Sequence, residues 1–132
     1  MSKTAIPQRT ITVSINGGAN APRFTYSYWS PITGEEYRHA PKCHLLCNRP
    51  TNFLFILDYE STLDGWTITG TEPRRGSPAL ETTLGPNNQS VSNFNPHLND
   101  SEIYYFAINY ENTKTGAKVP VDPQEGNIPG GY

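Results

Sequence analysis

Cysteine is scarce in this chain. Cys43 and Cys47 are the only two, too few for the disulfide framework that staples small secreted domains. Long apolar runs are missing as well. No stretch approaches the roughly 18 consecutive apolar residues of a membrane-spanning helix, and residues 1–9 lack the apolar core of a secretory leader. The expectation is a cytoplasmic protein with no membrane partner. Positive charge is not in excess either: Lys and Arg number 10 against 12 Asp and Glu, and Arg74-Arg75 is the one adjacent basic pair. A chain with no basic field gains little from counterion release at phosphates, so nucleic acid is not an expected partner. No G-x-S-x-G elbow and no glycine-rich phosphate loop occurs, which leaves those catalytic routes without support.

What the chain does have is turn chemistry and short alternating segments. The 12 Pro and 11 Gly are spread without a period, which suits many turns and excludes a collagen-like repeat. Thr10-Ile11-Thr12-Val13-Ser14-Ile15 alternates polar and apolar, so Ile11, Val13 and Ile15 are expected on one buried face. Asn16-Gly17-Gly18 turns the chain into a second alternating run from Phe24 to Trp29. Asn52-Phe53-Leu54-Phe55-Ile56-Leu57 is apolar at consecutive positions, as a central strand buried on both faces requires. A long strand from Glu102 to Tyr110 sets Tyr104, Phe106, Ile108 and Tyr110 on one side.

Weaker segments near residues 66–69, 80–84, 90–94 and 118–121, with short ones at 36–39 and 42–47 that do not both count as full strands, bring the total to about eight or nine strands. No helical pattern of useful length separates them. The expected fold is therefore all-β, an antiparallel β-sandwich of immunoglobulin-like outline. The expected organisation is an N-terminal extension at 1–9, a sandwich at 10–121 and a Pro/Gly-rich tail at 122–132. Three prolines and three glycines in the segment from Pro120 onward argue against steady pairing in a sheet.

The aromatic run from Tyr104 to Tyr110, the Thr115-Gly116 turn and the ending Asp122-Pro123-Gln124-Glu125-Gly126-Asn127-Ile128-Pro129 resemble the DP-EP family of small bacterial proteins. Asp122-Pro123 matches the first element of that name, while Ile128 stands where an acidic residue would precede Pro129. The resemblance implies a compact β domain with no assigned activity, and it carries over no site residue. The same pattern looks more loosely like bacterial inclusion-body proteins.

His39, Cys43, His44 and Cys47 lie within nine residues and are all zinc- or copper-ligating types. On a helix Cys43 and Cys47 would be neighbours about 6 Å apart, whereas on a strand they would be about 13 Å apart. A metal-binding or redox function thus needs a turn or helix where the pattern suggests a strand, and no cofactor is otherwise expected. Two thiols buried beside Leu45 and Leu46 are the plainer reading. The acids around Asp58, Glu60 and Asp64, and at Asp100 and Glu102, lack a regular calcium-loop spacing. Nor do they identify a carboxylate pair for a polymer hydrolase.

The reading that accounts for most of these features is a non-enzymatic binding or self-assembly module. The last strand has Ile103, Tyr105 and Ala107 on its second face, which asks for cover of its own. A homodimer is the expected cover, with Tyr105, Ile128 and Tyr132 as contact residues and the tail as a clasp; another protein is the alternative partner.

Overall fold

A computed structural model of the chain describes residues 5–18 and 20–130. In order along those residues come β1 (Gln8–Asn16), β2 (Arg23–Trp29), β3 (Glu36–Ala40), β4 (His44–Cys47), β5 (Thr51–Leu57) and α1 (Tyr59–Leu63). They are followed by β6 (Trp66–Pro73), β7 (Glu81–Leu84), β8 (Ser90–Asn95), β9 (Ile103–Asn112), β10 (Lys118–Val121) and β11 (Gln124–Asn127). The fold is all-β, a sandwich of two sheets. One has six strands in the order β3-β2-β1-β5-β8-β7; the other runs β10-β9-β11-β4, with β6 also paired to β9. Both sheets are mixed: β1 runs parallel to β5 and β11 parallel to β4, while the other pairings are antiparallel.

The period-2 signal holds where it was cleanest. Ile11 and Val13 are wholly buried and Ile15 nearly so, and the turn after them requires glycine. Gly17 has φ +86°, and a Cβ there would stand 2.6 Å from the Ala21 carbonyl oxygen. On β9, Tyr104, Phe106, Ile108 and Tyr110 all face the core. Phe106 meets Phe55 of the opposite sheet edge-on, with ring centroids 6.0 Å apart. Each buried aromatic of this kind contributes on the order of 1.5–3 kcal/mol through the apolar surface it removes from water.

Three expectations are revised. β5 is central, between β1 and β8, but it is not buried on both sides: Phe53, Phe55 and Leu57 point inward, while Ile56 is 37% exposed on the outer face. The first sheet strand begins at Gln8, inside the segment read as an extension. The segment read as a tail supplies β11, which lies between β9 and β4.

The pairing of β9 explains how a Pro-rich segment can do this. Val121 stands opposite Ile108 and Gln124 opposite Tyr105, so the register of β10 continues without a shift into β11. The two are halves of one strand, interrupted at Asp122-Pro123. Proline has no N–H to donate, so the ladder lapses there and resumes.

The short helix α1 is capped by Asp58, whose carboxylate accepts from the Ser61 backbone N–H at 2.8 Å. Buried Ser61 in turn accepts from the Ile15 N–H at 2.9 Å, tying α1 to β1. No helix among the described residues is long and apolar enough to cross a membrane.

Candidate functional site

Residues 44–47 form a strand, and that decides the geometry of the His/Cys cluster. Cys43, Leu45 and Cys47 lie on its buried side, and His44 is exposed on the other. His39 belongs to edge strand β3, where its backbone N–H donates to Ser27 Oγ and its ring lies 3.3 Å from Thr25 Oγ1. The four residues read as a metal cluster are thus divided between two sheets and two faces. Among the described residues no group of three or more His, Cys, Asp or Glu could hold a metal ion. Burial pushes both thiols up, and Cys47 Sγ–H donates to the Arg49 carbonyl. Protonated thiols are poor ligands and poor nucleophiles.

A polar layer that the sequence did not announce crosses the interior. Glu125 and Asn127 share the inward side of β11, with Glu125 fully buried opposite Leu45 and Tyr104. From β8, the Asn95 side-chain amide donates to Glu125 Oε1 at 3.3 Å and to Asn127 Oδ1 at 3.0 Å. Asn127 donates onward to the Asn99 carbonyl at 2.9 Å. Burial raises the Glu125 carboxyl to about 8, against the opposing pull of hydrogen bonds from Asn93 and Asn95 and of the Arg9 charge. At neutral pH it is mostly a neutral acid, sealed from solvent and out of reach of a substrate.

An open site lies where β4 begins beside the Asp122-Pro123 break. A pocket of about 190 Å³ forms there, with Tyr26 and Cys43 of the core at its base. The Tyr26 hydroxyl lies beside that of Tyr110, and neither has a hydrogen-bond partner in good geometry. Lys42, Arg74 and Arg75 supply the cations of the wall. The Arg75 guanidinium sits 4.8 Å from the centre of the Tyr105 ring, within cation–π range. Arg74 is held by Glu72 at 3.2 Å and Asp122 at 3.5 Å. Among the described residues Asp122 is the one carboxylate lining the pocket, and Arg74 already engages it.

Three of the residues singled out in the sequence, Cys43, His44 and Tyr105, line this pocket. Tyr105 spends its ring on Arg75 and its backbone N–H on Ser77 Oγ. Ile128 is anchored within its own domain, its N–H donating to the Cys47 carbonyl and its carbonyl accepting from His97 Nε2. The clasp from Pro120 onward is therefore engaged in its own sheet as far as Ile128; Tyr132 lies outside the described residues. Lys42 had no distinguishing signal in the sequence, Tyr26 had one only as an aromatic of the alternating run from Phe24 to Trp29, and Arg74-Arg75 only as an isolated basic pair. No protein-family model matches the chain, and no curated protein matches it.

Proposed function

We propose that this protein is a non-enzymatic binding module that receives an acidic group, a carboxylate side chain of a partner protein or a small organic acid, in the pocket between Lys42, Arg75 and Tyr105. The observation that carries this reading is the charge of the pocket wall. It holds three cations and one acid in a chain whose overall formal charge is −2. Arg74 neutralises Asp122 and is itself bridged to Glu72, which leaves Lys42 and Arg75 for an incoming anion. Stacking on Tyr105 fixes the Arg75 fork in one direction, the arrangement in which arginine grips a carboxylate through two parallel hydrogen bonds.

The volume sets the size of the guest. A pocket near 190 Å³ is below the range of about 300–1,000 Å³ typical of drug-sized ligands, so one side chain or one small acid fits. Binding rather than turnover follows from the chemistry of the wall. The Cys43 thiol at the base stays protonated, and the lone carboxylate is committed to a guanidinium.

Calorimetric titration with succinate and with a short Asp/Glu-rich peptide tests the reading. Millimolar or tighter binding is expected, weakening as salt rises and falling about tenfold or more in Arg75→Ala, the scale of losing a charged hydrogen bond. Heat of binding that is indifferent to both salt and Arg75→Ala would rule the site out.

A further inference from the structure

A second depression, of opposite character, lies on the other side of the segment that carries Arg74 and Arg75. Its mouth is a groove of about 430 Å³ running past Leu80, Phe94 and Leu98, with Leu98 itself 75% exposed. The charged residues that line this mouth are Glu81 and Glu102, both acids. Residues Pro78, Ala79, Leu80 and Tyr104 are shared with a smaller chamber of about 100 Å³, which carries the groove inward to Thr71, Thr82 and Asn93.

The inner chamber offers acceptors. Asn93 is 2% exposed, and its side-chain oxygen is buried with no hydrogen-bond partner among the described residues. Its amide is turned to the Glu125 carboxyl, so the oxygen is what remains. Thr71, Thr82 and Glu72 line the same space, and the Glu72 carboxylate is bridged to Arg74 at 3.2 Å. Among the described residues no Lys, Arg or His lines either the groove or the chamber.

An apolar trough with an acidic rim and an acceptor-lined inner end selects a guest with the reverse pattern. We infer that this groove is a docking site for a partner peptide that presents a lysine flanked by apolar residues, its ammonium directed toward Asn93 and its flanks on Leu80, Phe94 and Leu98. An ammonium has three donors and no acceptor, which matches the chamber. The rim acids favour the cation on approach, and the apolar flanks supply the area that a lone surface charge pair does not. The site is distinct from the basic pocket in sign and in guest, and it does not depend on it.

The test is an amide-shift titration of isotopically labelled protein with three peptides: acetyl-Leu-Lys-Leu-amide and its analogues with norleucine or glutamate in place of lysine. The lysine peptide is expected to shift amides of residues 79–82 and 93–104. The norleucine peptide keeps the apolar contacts but loses the charged hydrogen bond, and is expected to bind about tenfold more weakly. Leu98→Ser should weaken the lysine peptide about fivefold without moving the unfolding midpoint, because Leu98 is mostly exposed already. Glu102→Gln should weaken it as well. Equal binding of the lysine and norleucine peptides overturns the inference. So do shifts confined to other parts of the molecule, or no shift at millimolar peptide.

Discussion

Asn95 of one sheet donates a hydrogen bond to Glu125 of the other at 3.3 Å, in an interior where both side chains are wholly buried. The contact joins the sheets through a carboxyl that burial holds as a neutral acid up to about pH 8. The unfolded chain releases that proton in the ordinary carboxylate range near 4.5, so between these values the folded state binds more protons than the unfolded state. Stability must then fall as pH rises through this window and level off above it. The limiting slope from one such group is about 1.4 kcal/mol per pH unit. Urea unfolding at a series of pH values, compared with Glu125→Gln, checks this: the difference between the two proteins should grow with pH from 5 to 8. A constant difference would show that Glu125 ionises normally.

Asp58 works in the opposite direction. Burial raises it, but hydrogen bonds from Ser61 and Ser14 outweigh burial and leave its carboxyl below the usual range. Its contribution is present at neutral pH and disappears as pH falls through that lowered value. Replacing this helix cap by alanine should cost about 1 kcal/mol at pH 7, and progressively less under strongly acid conditions. Denaturant melts of Asp58→Ala at both extremes measure the difference.

The thiols give a kinetic prediction. Cys43 and Cys47 are 2% and 1% exposed and are held protonated by burial. Reaction with a colorimetric disulfide reagent should be slow for the native protein and should reach both thiols promptly in guanidinium. Fast reaction of one thiol without denaturant would show that β4 opens in the native state.

On β5, neighbouring residues should behave very differently. Phe55 is fully buried against Phe106, whereas Ile56 is 37% exposed on the outer face. Phe55→Ala is expected to cost about 3–5 kcal/mol, the range for a buried aromatic truncated in place. Ile56→Ala should cost about 1 kcal/mol, since only part of its surface leaves water on folding. Comparable losses from the two would place both faces of the strand in a core.

The same strand shows what could be read from the sequence. Alternation at Ile11, Val13 and Ile15, and at Tyr104 through Tyr110, is visible because each apolar side chain marks the buried side of a pleat. At 52–57 both faces carry apolar residues, and sequence alone cannot tell a doubly covered strand from one with a greasy outer face. β11 was illegible for the opposite reason. Its inward residues are Glu125 and Asn127, polar side chains that accept from Asn95 of β8 and so leave no apolar signal. The His/Cys cluster was legible as a spacing, and the strand spacing that weakened a metal reading is the one the structure adopts at Cys43–Cys47. The basic pocket draws on residues from β2, from the start of β4, from the β6–β7 connection and from the Asp122-Pro123 break. No local pattern could have assembled it.

The place of β11 also bears on how the chain folds as it leaves the ribosome. Among the described residues β4 is ladder-paired to β11 alone, and the partners His44 and Gln124 are 80 positions apart. β4 emerges early with Cys43, Leu45 and Cys47 on its apolar side, and its ladder cannot form until β11 has been synthesised. Through that interval it is an open edge with a hydrophobic face, the kind of segment that nascent-chain chaperones hold. A contact so distant in sequence is costly to close, so the second sheet is expected to lock late and much of it at once. Translation halted before residue 124 should leave a chain with the six-stranded sheet's segments all present and β4 still in search of its pair.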